Sequence, residues 1–185
     1  MPAPTSTSRC GYCERPFGAL GPATYRLTAW GDGFRWTVDD DEVATAVCHD
    51  GTWDVYDLGG DSRPALTLVP VDVDGSVRVA LVDHRSRLVA TFTPNTSDGP
   101  GIGVIRDSYD RIMMLVRGDG PTGIHVIDSA GEVLALASRL PEREHVGLDV
   151  LVLSRQSTPT PCSLLVLGLG LLLELARVGD LRPAA

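Results

Sequence analysis

The sequence predicts a mainly β protein: about twelve antiparallel strands closed into a barrel around a buried hydrophobic C-terminal α-helix. Three observations carry that reading. From Thr24 onward, short β-prone runs are broken by turn residues about every ten residues, the spacing of an all-β barrel or sandwich. A turn formula led by Asp recurs along the second half of the chain. The last long apolar stretch, residues 161–177, has no polar face, so a helix built from it must be surrounded by other structure.

Residues 1–23 are rich in Pro, Ser, Thr and Gly and read as a flexible N-terminal arm carrying a CxxC knuckle, Cys10-Gly-Tyr-Cys13. The barrel with its central helix is expected over 24–177, and residues 178–185 form a fraying tail. Strands are expected near 24–30, 34–38, 42–48, 52–57, 64–70, 76–82, 87–93, 102–106, 110–117, 123–127, 132–139 and 148–154. Phe34-Arg-Trp36-Thr-Val38 shows the alternation well: Phe, Trp and Val share one face, Arg35 and Thr37 the other.

The repeated turns are Asp83-His-Arg-Ser-Arg-Leu-Val-Ala90, Asp107-Ser-Tyr-Asp-Arg-Ile-Met-Met114 and Asp128-Ser-Ala-Gly-Glu-Val-Leu-Ala135. Each follows an apolar strand and places a charged residue before the next apolar run. Asp caps its own turn through a side-chain to backbone hydrogen bond, and strand residues resume at once, so the units are hairpins. The repeat spacing also suits a solenoid or propeller. Neither accounts for the final helix.

That helix is bracketed by Thr160 or Ser163 as caps and by Pro161 near its first turn, where a missing amide hydrogen matters least. Nine Leu or Val residues lie between Leu164 and Leu175. At about 1.5 to 3 kcal/mol for covering each, exposing them would forfeit roughly 13 to 27 kcal/mol, more than a typical domain's whole stability. The uncharged run from Cys162 to Leu173 is twelve residues long. A bilayer needs about twenty, so a buried core helix is expected in place of a transmembrane segment.

Composition bounds the function. At 185 residues the chain suits one domain, and its net charge of −8 with a pI near 4.8 argues against nucleic acid as a partner, since phosphate neutralisation needs clustered cations. All of the basic residues are Arg. Met1 to Arg9 lacks the apolar region of a signal peptide, so a cytoplasmic, reducing setting is expected. There, four cysteines read as metal ligands or free thiols before they read as a disulfide framework.

With its strand count, its Asp-x-x-x-charged hairpins, and Leu148-Asp-Val-Leu-Val-Leu153 followed by a spacer and an apolar helix, the chain resembles the tubby C-terminal-like superfamily. That superfamily includes phospholipid scramblases and LURP-one-related proteins. The resemblance covers about residues 24–177. It implies a twelve-stranded barrel around one hydrophobic helix and association with phosphoinositide or anionic phospholipid. Tubby-like lipid sites depend on basic side chains with Lys prominent, and no matching motif stands in this sequence.

Several constellations bear on chemistry. Cys10 and Cys13 have the spacing of one zinc knuckle; a closed tetrahedral site needs two further ligands, and Cys48 with His49 is the nearest sulfur and imidazole pair. Adjacent strand residues point to opposite faces, so both could reach one ion only through a bulge. Cys162 reads as a small core residue. Asp72-Val-Asp74-Gly75 has part of a calcium loop, but its Gly arrives early and a hairpin turn is favoured. Asp39-Asp-Asp-Glu42 reads as an acidic, solvated turn before a divalent-cation site. None of His49, His84, His125 or His145 sits beside a nucleophile in a catalytic context. Gly101-Ile-Gly103 lacks the rest of a dinucleotide fingerprint. Arg106, Arg111 and Arg117 flank one hairpin as a small basic patch or as ordinary solvated strand residues, the latter favoured.

The function expected on these grounds is that of a non-enzymatic interaction module with a phospholipid or protein partner. The alternative is a zinc- or redox-responsive regulatory protein using Cys10 and Cys13.

Overall fold

The computed structural model describes residues 24–57, 63–95, 101–119, 123–139 and 147–152. The expected arm with Cys10 and Cys13, the C-terminal helix over 161–177 and the tail at 178–185 lie outside the described residues. Twelve strands follow one another: β1 (Thr24–Trp30), β2 (Gly33–Val38), β3 (Asp41–His49), β4 (Thr52–Asp57), β5 (Leu66–Val73), β6 (Ser76–Asp83), β7 (Leu88–Pro94), β8 (Gly101–Asp107), β9 (Ile112–Asp119), β10 (Gly123–Asp128), β11 (Val133–Arg139) and β12 (Gly147–Val152). Each falls on a run expected from the sequence.

Every strand pairs antiparallel with its sequence neighbours, and β1 pairs with β12 from Thr24↔Leu151 to Thr28↔Gly147, so the sheet closes into an up-and-down barrel. Closure satisfies both outer strands and removes the exposed edge that invites aggregation. In such a meander successive turns alternate between the two ends. The lower rim therefore carries the β2–β3, β4–β5, β6–β7, β8–β9 and β10–β11 connections, and the upper rim carries the rest. Pairing is shortest between β4 and β5, where only Leu66, Thr67 and Leu68 of β5 are in register with β4. Pro70 stands just beyond, where the missing amide hydrogen removes no bond to β4.

The turns explain why the register holds. Asp39-Asp40, Asp50-Gly51 and Asp74-Gly75 have positive φ at both central positions. Those are type I′ turns, whose twist matches that of the flanking strands. Asp72 Oδ1 accepts a 2.8 Å hydrogen bond from the Gly75 amide, so the stretch that resembles a calcium loop closes on itself as a hairpin.

Inside the barrel, side chains from alternate positions of every strand are buried: Tyr25 and Leu27 of β1, Phe34 and Trp36 of β2, Val55 of β4, Leu66 and Leu68 of β5, Val79 and Leu81 of β6, Phe92 of β7, Ile105 of β8. Fully buried Ala44, Ala90 and Ala135 stand among these large residues, the alternation of sizes that lets facing layers interdigitate. Burial pushes the Tyr25 phenol up to about 12, so it stays protonated in the neutral range. The Phe92 ring lies where a side chain on Gly103 would project, with Phe92 Cζ only 2.6 Å from an ideal Cβ built there.

Candidate functional site

Three hairpin turns stand side by side on the lower rim. β6, β7, β8, β9, β10 and β11 are consecutive in the sheet, so their turns recur every second strand, about 10 Å apart. Each turn is built the same way. The Asp83 carbonyl accepts from the Ser86 amide at 2.8 Å and the Asp83 amide donates to the Arg87 carbonyl at 2.9 Å, while Ser86 takes a positive φ of 60°. Asp107 with Asp110 and Arg111, and Asp128 with Gly131 and Glu132, repeat the pattern, with φ of 63° at Asp110 and 87° at Gly131.

The leading carboxylate locks each loop from inside. Asp83 Oδ1 accepts from the amides of Arg85 and Arg87, both at 2.9 Å, and its Oδ2 accepts from the Arg87 guanidinium at 2.8 and 2.7 Å. Asp107 does the same with the amides of Tyr109 and Arg111 and with the Arg111 guanidinium, whose Nε lies at 2.7 Å. In the third turn Asp128 takes the amides of Ala130 and Glu132, but Glu132 occupies the place of the Arg. Burial pushes the Asp83 and Asp107 carboxyls up; the Arg side chain and the two amides at each outweigh it and hold both below the usual Asp range. Carboxylates held that low are poor general bases at neutral pH, where a base near 7 works best.

Apolar groups stand in or directly beside these rigid loops. Leu88 and Ile112, which occupy equivalent places one residue after each Arg, are both 44% exposed, and Tyr109 between them is 78% exposed. The Arg111 guanidinium lies 5.2 Å from the centre of the Tyr109 ring. Such a cation–π contact restrains the ring while leaving it accessible. Arg106 is also neutralised locally: it donates to the Asp110 carbonyl at 2.9 Å and lies 3.7 Å from its carboxylate. The rim thus shows Leu88, Tyr109 and Ile112 in or beside turns where Arg87, Arg106 and Arg111 are each met by a carboxylate of the same turn.

The other sequence-level candidates separate. Arg111 directly precedes β9 and Arg117 stands near its far end, about 20 Å away for six extended residues, so the three arginines form no common patch. Cys48 pairs with Trp53 and His49 with Thr52 in an uninterrupted ladder, so the bulge that would turn both to one ion is missing. Among the described residues no three His, Cys, Asp or Glu side chains gather as a metal site. The acidic turn at Asp39-Asp40 borders a hollow of about 200 Å³ with Thr24, Thr37 and the Arg26–Asp149 ion pair, whose closest atoms are 2.8 Å apart. Among the described residues no helix is long and apolar enough to cross a membrane.

The fold is a closed, twelve-stranded up-and-down β-barrel, with Leu88, Tyr109 and Ile112 exposed along part of one rim. No family model matches the chain, and no curated protein matches it. Among solved structures it is similar to the Arabidopsis thaliana protein AT5G01750, determined by X-ray crystallography, at a TM-score of 0.59 and 14% identity over 85% of this chain and 94% of that one. At that identity the likeness is one of fold.

Proposed function

We propose that the protein is a non-enzymatic β-barrel interaction module of tubby-like type, and that it docks a protein partner through the lower rim. The observation that carries the reading is the trio Leu88, Tyr109 and Ile112, exposed in or directly beside turns that their own Asp–Arg pairs hold rigid. Tyr, Arg and large apolar groups are what binding hot spots are made from, and rigidity lowers the entropy lost on docking. A phospholipid surface is the second reading. It is weaker here because an Arg attracts an anionic membrane by about 1 kcal/mol when its charge is available. Arg87, Arg106 and Arg111 are each met by a carboxylate, and the whole chain is acidic.

The combined substitution Leu88→Ser, Tyr109→Ser, Ile112→Ser tests the rim. Surface changes of this kind alter stability by about 0.5 kcal/mol or less each, so the variant stays folded. Proteins captured by the wild type, then purified and retested, should lose at least tenfold in affinity for the variant. Equal affinity for both would remove the rim from the reading. Flotation with phosphatidylserine vesicles, with and without calcium, separates the lipid version: binding that the triple variant abolishes would replace the protein partner with a membrane.

The same proposal includes a buried C-terminal helix. Barrels of about eight strands are filled by their own side chains and wider ones enclose space. Twelve strands whose inward residues Leu27, Trp36, Val79 and Phe92 are all buried therefore call for a filler. Residues 162–173 have the right length and apolarity. In a chain whose four cysteines are Ser, Leu169→Cys should react with a thiol reagent only after denaturant unfolds the barrel; rapid labelling of the native protein would discard the plug.

A further inference from the structure

A groove of about 330 Å³ lies at the upper end of β7, β8 and β9, at the opposite end of the barrel from the apolar rim, and it is lined by Thr93, Pro94, Asn95, Gly103, Val104, Leu115, Val116 and Arg117. Thr93, Val104 and Leu115 are in register across the three strands and face outward. β8 is irregular here: its pairing with β9 shifts between Gly101 and Gly103, and Gly103 offers no side chain. The floor is therefore mostly apolar, with polar groups confined to Thr93 and Asn95 on one side and Arg117 on the other.

Arg117 is exposed and has no hydrogen-bond or ion-pair partner among the described residues, unlike Arg87, Arg106 and Arg111 lower in the same sheet. Its register neighbours are Gly101 on β8 and His125 on β10, neither of them an acid. Arg35, Arg63 and Arg78 also have no partner among the described residues, but they do not line this groove. A cation left available in a chain of net charge −8, at the end of an apolar hollow, marks a place that an anion completes.

We propose that this groove binds a small carboxylate-headed amphiphile, its head on Arg117 and its apolar body along Val104 and Leu115. A planar guanidinium fork matches a carboxylate with two parallel hydrogen bonds, which a point charge does not do. The volume sits at the small end of the roughly 300 to 1,000 Å³ of ligand sites, which favours a short chain over a full lipid. Thr93, Val104 and Leu115 of its lining face outward, so a ligand can reach them without disturbing the closed sheet. This site is separate from the rim and stands or falls independently of it.

Octanoate, titrated below its micelle-forming concentration and followed by NMR shifts of the Val104 and Leu115 methyl groups, is the probe. Saturable binding of one octanoate per chain is expected. Acetate, which lacks the apolar body, should bind at least tenfold more weakly, and Arg117→Gln should weaken octanoate at least tenfold while leaving octan-1-ol unchanged. Octyl phosphate distinguishes head groups: binding tighter than octanoate's would overturn the carboxylate assignment. No saturable octanoate binding, or an equal loss in Arg35→Gln, overturns the site. Both variants change exposed side chains, and matching melting curves confirm that each is folded.

Discussion

Replacing Gly33 with Ala is expected to destabilise the barrel by about 3 kcal/mol, the upper part of the overpacking range, and to lower its melting temperature by about 6 to 12 °C. A Cβ on Gly33 would run into the carbonyl oxygen of Ala46, with the Ala46 carbonyl carbon at 3.2 Å and Val47 Cα at 3.5 Å. All three are backbone atoms of β3, which pairs with β2 through Gly33↔Val47 and Phe34↔Ala46. A flexible side chain could swing aside, but here the strands themselves must part. Their parting would strain the neighbouring contact between Phe34 and Trp53, whose ring centres are 5.3 Å apart. Gly75→Ala is the control. Gly75 has a positive φ of 78° and open space around it, so only backbone strain of about 1 kcal/mol is expected there. Thermal melts of the two variants decide the matter: a Gly33→Ala melting temperature within about 2 °C of the Gly75→Ala value would show that β2 and β3 yield more easily than their paired backbones imply.

Much of this barrel is legible in the sequence because its strands are half-buried and alternate. Phe34 and Trp36 inward with Arg35 outward is a period-two signal, and the acidic turns between strands reset it at short intervals. The Asp-led turns are legible for the same local reason: the bonds from Asp83, Asp107 and Asp128 to amides two and four residues on need no tertiary context. What the turn formula conceals is the fifth residue. Reading it as merely charged merges Arg87 and Arg111, which close a guanidinium–carboxylate pair, with Glu132, which does not.

The candidate sites are less legible, because they depend on which residues closure brings to one end. Arg106, Arg111 and Arg117 are near in sequence, yet two are neutralised on the lower rim and the third, at the other end, has no partner among the described residues. The equal exposure of Leu88 and Ile112 follows from two hairpins being aligned in register, a relation that becomes visible once β7 and β8 are seen paired. Gly101-Ile-Gly103, unremarkable as a nucleotide motif, marks the irregularity in β8 beside the outer groove. Glycine there signals a bulge and a close approach of Phe92, which are sheet-level events.

Asp83→Ala is expected to cost about 2 to 3 kcal/mol, because it removes the acceptor of two amides and a guanidinium at once. Asp128→Ala removes two amide bonds and no guanidinium, so its cost should be roughly 1 kcal/mol smaller, and the difference between the two isolates the Arg pair. The pH dependence follows from the direction in which the carboxyls are held. Asp83 and Asp107 titrate lower folded than their ordinary value of 3.8. The unfolded chain therefore binds more protons as acid is added, and the stability these groups contribute is complete above that value. It is lost as pH falls from about 4 through the lower folded values. The double variant Asp83→Asn, Asp107→Asn should accordingly be less stable than the wild type at pH 7, with the gap narrowing as the pH falls below about 4. Urea unfolding at pH 7, 5, 4 and 3 measures it. A gap that stays constant across that series would mean that the two carboxylates hold their turns through hydrogen-bond geometry alone, with no contribution from their charge.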